Sequence, residues 1–255
     1  MENCWYSEQA GFFGPNYIEE FAYIFDPERI KREVDFIEKV LDCNHPLKIL
    51  DLACGNGRHS IELARRGHSI IGLDLNRFFL EQAASAAKEA QVTVKWLNSD
   101  MRQIPFENEI DAVISLFSSF GYLESDQDDQ VVLDQVVKAL RSGGKFVMDF
   151  INHEWIMRNY CAHEQRILSS GVMIRMLRNF DLATGRNHER RTRIFPNGKR
   201  EEVEMIVRMY TAVELIRMCE AAGLQIQEIY GDYNFEPLTI DPKFIVLQAI
   251  KPNIQ

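Results

Sequence analysis

The 255-residue sequence is short of the features that mark exported, membrane-embedded or metal-stapled proteins. No run of 18 apolar residues occurs, and the stretch from Met1 to Ala10 has no basic segment followed by an apolar one, so neither a membrane span nor an export signal is expected. The five cysteines, Cys4, Cys43, Cys54, Cys161 and Cys219, are odd in number, scattered and never in a C-x-x-C pair. That pattern argues against a disulfide framework or a zinc ribbon and fits a reducing cytoplasm. No group of His, Cys and carboxylate residues has metal-ligand spacing, so no metal is expected. Positive charge is also scarce: 29 Lys and Arg against 38 Asp and Glu leave a net charge of -9, which repels a phosphate backbone, and nucleic acid is not an expected partner. Internal repeats and low-complexity tracts are absent. With 46% hydrophobic and 26% charged residues, the chain has the balance of a globular protein built on one large domain, with or without an insertion.

What is present is an alternation of two periods. Apolar residues at Ile30, Val34, Ile37 and Leu41 share one helix face, with Pro27 near its start. A short apolar run, Lys48 to Ala53, then meets Cys54-Gly-Asn-Gly57, after which a helical pattern runs to Gly67. Ser69 to Asp74, Val92 to Trp96, Ile110 to Ser115 and Lys145 to Phe150 read as further strands. Helices are expected between them over Phe78 to Ala90 and Gln130 to Leu140, the second capped by Gly143-Gly144. Strands alternating with helices predict a parallel sheet covered on both faces. After Phe150 the period changes. Val172 to Phe180, Arg186 to Phe195 and Glu201 to Met209 are strand-like, and Pro196-Asn197-Gly198 between the last two is a hairpin signal. A helix over Thr211 to Ala222 and two apolar runs, Leu224 to Tyr230 and Lys243 to Ile250, close the chain and are placed to complete the sheet. The expected layout is a helical cap over 1–46, a ligand-binding core over 47–150, an antiparallel β insertion over 151–210 and a closing helix with two strands over 211–255.

The chemistry gathers at strand ends. In Asp51-Leu-Ala-Cys-Gly55-Asn-Gly57 the glycines permit a tight strand-to-helix turn, and the helix N-terminus offers free N–H groups to an anionic ligand. Asp74, 17 positions beyond Gly57, ends the next strand, where a carboxylate accepts both hydroxyls of a ribose. An NAD(P)-binding oxidoreductase shares that much. Ser60 replaces the third glycine of the dinucleotide fingerprint, however, Asp51 precedes the first glycine, and Asp100-Met101 follow the third strand, acids that a pyrophosphate site does not need.

Through Ile49-Leu-Asp-Leu-Ala-Cys-Gly-Asn-Gly-Arg-His59, Ile71-Gly-Leu-Asp74, Asn98-Ser-Asp100-Met101 and Leu140-Arg-Ser-Gly-Gly-Lys145, the sequence resembles the class I S-adenosylmethionine-dependent methyltransferases. The resemblance implies an α/β fold: a Rossmann-like, doubly wound sheet of seven strands with the last antiparallel, here with an antiparallel β lid insertion. It further implies S-adenosylmethionine as cofactor and S-adenosylhomocysteine as product. Carried over by position, Asp51, Ala53, Gly55 and Gly57 line the methionine moiety and Asp74 takes the ribose hydroxyls. Asp100 takes the adenine amino group, Leu75 and Met101 flank the ring, and Leu116 touches the cofactor through its backbone. Arg58 either reaches the methionine carboxylate or faces solvent, and Tyr17 is expected to close over the cofactor.

The lid resembles that of small-molecule methyltransferases. Phe117-Ser-Ser-Phe-Gly-Tyr-Leu123 stands where enzymes that methylate amino groups of nucleic acids and protein glutamine carry an Asn/Asp-Pro-Pro-aromatic signature. The expected acceptor is therefore a small molecule, with nitrogen or carbon slightly favoured over oxygen because neither a metal site nor a convincing base is visible. His153 and Tyr122 are the candidate catalytic side chains, and His59 is assigned to the glycine turn. Among the aromatics, Phe117 and Phe120 are expected at the site and Trp5 and Tyr6 in packing. The excess of basic over acidic residues in the insertion is read mainly as charge protecting an exposed sheet face and edge, with steering of an anionic substrate as the alternative. A cofactor-binding sensor without activity, and the oxidoreductase, remain the other readings.

Overall fold

Apolar runs that were legible as strands lie side by side in the computed structural model, which describes residues 4–7 and 11–253. In chain order the elements are α1 (Pro15–Glu20), a 3-10 turn (Ala22–Phe25), α2 (Pro27–Leu41), β1 (Lys48–Leu52), α3 (Arg58–Arg65), β2 (Ser69–Asp74), α4 (Arg77–Glu89) and β3 (Val94–Asn98). β4 (Ile110–Ser115), α5 (Asp126–Ala139), β5 (Leu140–Ile151), α6 (His153–Arg158), β6 (His163–Ile167), β7 (Met173–Asp181), β8 (Arg186–Ile194) and β9 (Arg200–Arg208) follow. α7 (Ala212–Ala222), β10 (Gln225–Gly231), β11 (Glu236–Pro237) and β12 (Phe244–Ile250) complete the chain.

The main sheet has the order β11-β10-β12-β5-β4-β1-β2-β3. β1 pairs in parallel with β2 and β4, Leu50 lying opposite Ile71 on one side and Val113 on the other, while β12 runs antiparallel to both β5 and β10. Alternate residues of each strand serve opposite faces. Leu50 and Leu52 pack with Val132, Leu133 and Val136 of α5, whereas Ile49 packs with Phe36, Ile37 and Val40 of α2. Each apolar set is thus removed from water, worth roughly 1.5–3 kcal/mol per fully buried large side chain. Side-chain caps mark helix starts where the sequence supplies them: Asp26 accepts from Glu28 N before Pro27, and Thr211 and Glu214 form a reciprocal capping box, each such cap contributing ~1 kcal/mol. The chain direction reverses about β1 and β4, so a crevice opens past their carboxyl ends.

Four details depart from expectation. The sheet gains an eighth strand, the two-residue β11, beyond the seven expected. β3 starts two residues later than Val92. α5 ends at Ala139 without a glycine cap; the chain turns straight into β5, and Gly143-Gly144 sit in an irregular register between β4 and β5. The lid is a separate four-stranded antiparallel sheet, β6-β7-β8-β9, its first strand having escaped notice because His163-Glu-Gln-Arg-Ile167 offers one apolar residue. The hairpin at Pro196-Asn197-Gly198 joins β8 to β9.

The segment before α2 works as a strap across the crevice, pinned to both sheets. Asn76 Nδ2 donates to Phe13 O at 2.9 Å, Trp5 Nε1 to Ile206 O at 3.1 Å, and Asn16 Nδ2 to Glu201 at 3.0 Å. No helix among the described residues is long and apolar enough to cross a membrane.

Candidate active site

Two chambers lie above the carboxyl edge of the sheet. The first, about 990 Å³ to its open mouth, is lined by Tyr17, Asp51, Ala53, Gly55, Arg58, Asp74, Leu75, Asp100, Met101 and Leu116. Of the residues expected to hold a cofactor, Gly57 alone is outside this lining; it lies behind the wall, where a Cβ would come within 2.5 Å of the Trp96 ring. Ala53, Gly55 and Gly57 all have positive φ (56°, 56° and 76°), which brings the backbone of the turn close to the chamber and leaves alanine at a position that disfavours a side chain.

The acids occupy distinct environments. Asp51 is buried and accepts from Ser60 Oγ at 2.6 Å; burial pushes its carboxyl up to about 6, against that hydrogen bond and the Arg58 charge. Ser60, which breaks the dinucleotide fingerprint, therefore has a function in the turn. Asp74 accepts from Gly55 N at 2.7 Å and Asn76 N at 2.8 Å, fixing the glycine turn to the end of β2, and burial raises it in spite of those bonds. Each oxygen retains a lone pair for a ligand hydroxyl. Asp100 is raised by burial but held below the usual carboxylate range overall by Arg102, whose Nη2 lies 2.7 Å away and whose backbone N–H donates at 2.8 Å. Arg102, the residue directly after the Asn98–Met101 motif, carries no signal in the sequence pattern. The Arg58 guanidinium faces inward over the Phe117 ring at 5.1 Å, and its Nε is buried without a partner among the described residues. An orphaned cationic donor next to an acid-lined chamber fits a zwitterionic ligand, with Asp51 for an ammonium and Arg58 for a carboxylate. His59 belongs to the turn as expected: buried and 2.7 Å from Glu33, it is driven down to about 4 by desolvation and Arg58, while Glu33, against its own burial, is held at about 2 by His59 and Arg29.

Directly after β4, Phe117 and Ser118 both adopt positive φ, 68° and 56°. Two successive non-glycine residues in that region are strained, and Asp149 on β5 secures them by accepting Ser118 N at 2.7 Å. Its other oxygen accepts from Tyr233 Oη at 2.7 Å, and burial raises the carboxyl to about 6. Sequence pattern gave no hint of Asp149, since an acid inside an apolar strand has no motif of its own.

The second chamber, about 1760 Å³ to its open mouth, lies between core and lid. Tyr17, Phe117 and Tyr122 line both chambers, so the two meet at these rings. Tyr122 is enclosed enough that desolvation pushes its phenol up to about 12. Phe120 lines the second chamber as expected, and Trp155 joins it; Trp5 and Tyr6, expected in packing only, line the second and first respectively. His153 is not brought to either lining. It opens α6 with its ring edge-on to Phe180, 5.9 Å between centroids, and with Nδ1 3.6 Å from Glu154.

The reading of the lid charges as an exposed face needs correction. Glu189, Arg191 and Arg193 are buried, because alternate β8 residues turn inward, and Arg208 at the end of β9 is buried as well. Glu20 of the strap, itself buried, pairs with Arg166 at 2.5 Å, Arg191 at 2.7 Å and Arg193 at 3.2 Å, and Glu189 pairs with Arg178 at 2.6 Å and with Arg191. Arg190, by contrast, does face solvent.

A parallel-centred sheet with β12 inserted antiparallel between β10 and β5, a glycine turn after β1 and acids at the ends of β1 to β3 defines the class I methyltransferase architecture. Residues 49–144 match the family described as a methyltransferase domain. The glycine/sarcosine N-methyltransferase of Halorhodospira halochloris is 26% identical over 234 residues, covering 88% of this chain and 82% of that protein. For most of the other similar curated proteins the chain spans about half of their length. An S-adenosylmethionine-dependent methyltransferase from Clostridium acetobutylicum superposes with a TM-score of 0.80 at 19% identity, covering 93% of this chain and 100% of that one. CalS10, an amino pentose methyltransferase from Micromonospora echinaspora solved with the cofactor bound, gives 0.65 at 19% identity, over 92% and 96%. Over residues 49–144 in sequence, and over nearly its whole length in fold, the chain is thus similar to the class I S-adenosylmethionine-dependent methyltransferases, whose cofactor is S-adenosylmethionine.

Proposed function

We propose that this protein methylates a small-molecule acceptor held in the second chamber, with the cofactor in the first and transfer taking place where Tyr17, Phe117 and Tyr122 line both. That shared wall is the observation that carries the reading. When bound, S-adenosylmethionine supplies an electrophilic methyl group on a sulfonium sulfur. Asp51 and Arg58 would hold the two charges of the amino-acid portion, Asp74 the ribose hydroxyls, and Asp100, kept ionised by Arg102, the adenine amino group. Leu75, Met101 and Leu116 would pack against the flat portion. The three shared rings exclude water and present π faces, which favour a cation, so they suit a sulfonium and a nucleophile aligned in a dry passage.

A nitrogen acceptor is favoured over a hydroxyl. The carboxylates lining the second chamber, Glu164 and Glu189, are both paired with Arg178, and no histidine among the described residues lines that chamber. Such a site has little with which to deprotonate a hydroxyl, whereas a neutral amine needs no base. The N-methyltransferase named above supports the same choice. The test is calorimetric titration with S-adenosylhomocysteine, followed by transfer of labelled methyl from the cofactor into a metabolite extract and identification of the product. Label recovered on nitrogen supports the reading; label recovered only on oxygen overturns the nitrogen assignment, and absence of cofactor binding overturns the whole.

A further inference from the structure

The acceptor chamber is layered. Next to the neck formed by Tyr17, Phe117 and Tyr122 comes a second set of rings: Phe21, 4.5 Å from Tyr17 and 6.2 Å from Phe117, and Phe244, 6.5 Å from Phe117. Beyond these rings stand cations. The Arg166 and Arg191 guanidiniums lie 5.8 and 5.9 Å from the Phe21 centroid, and Lys243 Nζ lies 5.5 Å from the centroids of both Phe244 and Trp155. Arg178 joins them in the lining.

These charges are unequally compensated. Arg178 is answered by Glu164 and Glu189, Arg191 by Glu189 and Glu20, and Arg208 by Asp126 and Glu214. Lys243 has no ion-pair partner among the described residues, and Arg166, though paired with Glu20 through Nη2, keeps a buried Nε without one. Desolvation and the neighbouring Arg29, Arg166 and Arg178 hold the Lys243 amine below its ordinary range, against Glu164. A chain with a net charge of -9 therefore places an excess of positive charge one ring beyond the transfer neck, with Lys243 on the solvent-exposed side of the chamber.

We infer that the acceptor is an elongated molecule with an apolar, ring-sized body, its methyl-accepting group at one end and a carboxylate or phosphate at the other, the anion resting on Lys243 and the free side of Arg166. An anion attached to the carbon that bears the nucleophile would stop at the aromatic neck, short of the cations. An uncharged acceptor would leave them unanswered.

This inference rests on the proposed function, and S-adenosylhomocysteine binding checks that reading by itself. With the protein saturated by S-adenosylhomocysteine, affinities are measured by calorimetry for four probes: benzylamine, phenylglycine, para-(aminomethyl)benzoate and para-(aminomethyl)phenylphosphonate. Phenylglycine and para-(aminomethyl)benzoate are isomers that differ in where the carboxylate sits. The expected result is that at least one remote-anion probe binds about tenfold or more tighter than both benzylamine and phenylglycine, in keeping with one charge-assisted contact. The tighter of the carboxylate and phosphonate probes identifies the anion. Lys243→Met should erase most of that preference while leaving S-adenosylhomocysteine affinity unchanged, which also shows the variant to be folded; Lys243→Arg should retain it. Phenylglycine or benzylamine binding as tightly as the remote-anion probes, no probe binding at all, or a preference untouched in Lys243→Met would overturn the inference.

Discussion

The glycine turn offers a quantitative test of how the cofactor chamber is built, because its two glycines share a backbone region but not a neighbourhood. Gly55 and Gly57 both have left-handed φ, so an alanine at either pays about 1–2 kcal/mol in backbone strain. Around Gly55 nothing lies within 4 Å of a new methyl group. At Gly57 the methyl would sit 2.5 Å from Trp96 Cη2 and 3.0 Å from Ala83 Cβ, both belonging to well-packed elements. Overpacking of that kind costs about 1–3 kcal/mol beyond the strain. Gly57→Ala should therefore destabilise by about 2–5 kcal/mol and Gly55→Ala by about 1–2 kcal/mol, read from urea denaturation at constant m. The decisive comparison is a double-mutant cycle with Trp96→Leu, which removes the ring. If the clash is the cause, Gly57→Ala in the Trp96→Leu background should cost no more than Gly55→Ala, a coupling of about 1–3 kcal/mol. Equal costs for Gly57→Ala with and without the Trp96 ring would refute the reasoning.

Three further outcomes follow from the same geometry. Asp74→Ala strips two backbone N–H groups of their acceptor, and S-adenosylhomocysteine should bind at least about tenfold more weakly by calorimetry. Unchanged affinity would remove Asp74 from the site. Asp149 has its carboxyl raised from 3.8 to about 6, so the folded state holds the proton more tightly than the unfolded chain. Its contribution is greatest below the unfolded value and is lost as pH rises through the folded one; on the order of 2–3 kcal/mol should disappear between about pH 4 and 7, and Asp149→Asn should flatten that part of the stability profile. A slope unchanged in the variant would assign the effect elsewhere. Glu20→Gln leaves three arginines facing a neutral amide, and breaking a buried ion pair costs about 3–5 kcal/mol, so amide exchange in residues 11–25 should accelerate before that of the main sheet. Uniform acceleration across the chain would show that the strap does not open separately.

Much of this architecture was legible because local pattern and tertiary role coincide in the core. β1, β2, β4 and β5 are apolar runs that must be covered on both faces, and glycine followed by a helical pattern leaves the chain one sharp turn to make. Asp51, Asp74 and Asp100 could be placed because strand ends are set by the same periodicity. The lid resisted for the opposite reason. Glu189, Arg191 and Arg193 share one face by the strand period, but whether that face meets water depends on Glu20, some 170 positions earlier. Charged residue types bias the reading toward solvent, and only the partner reverses it. β6 carries too little apolar content to signal a strand, and β11 is too short for any period to show. Asp149 lies among neighbours contributed by other segments, so no local spacing marks it.

The placement of the tryptophans has a spectroscopic consequence. The chain has three, and each stands in a different working part: Trp5 on the strap, Trp96 beneath the glycine turn, and Trp155 beside Lys243 in the second chamber. Indole emission responds to the polarity around the ring, so three variants each retaining one tryptophan would act as separate optical reporters of strap motion, of the turn below the first chamber and of filling of the second. Stopped-flow traces from those variants would resolve the order in which the two chambers fill without any added dye.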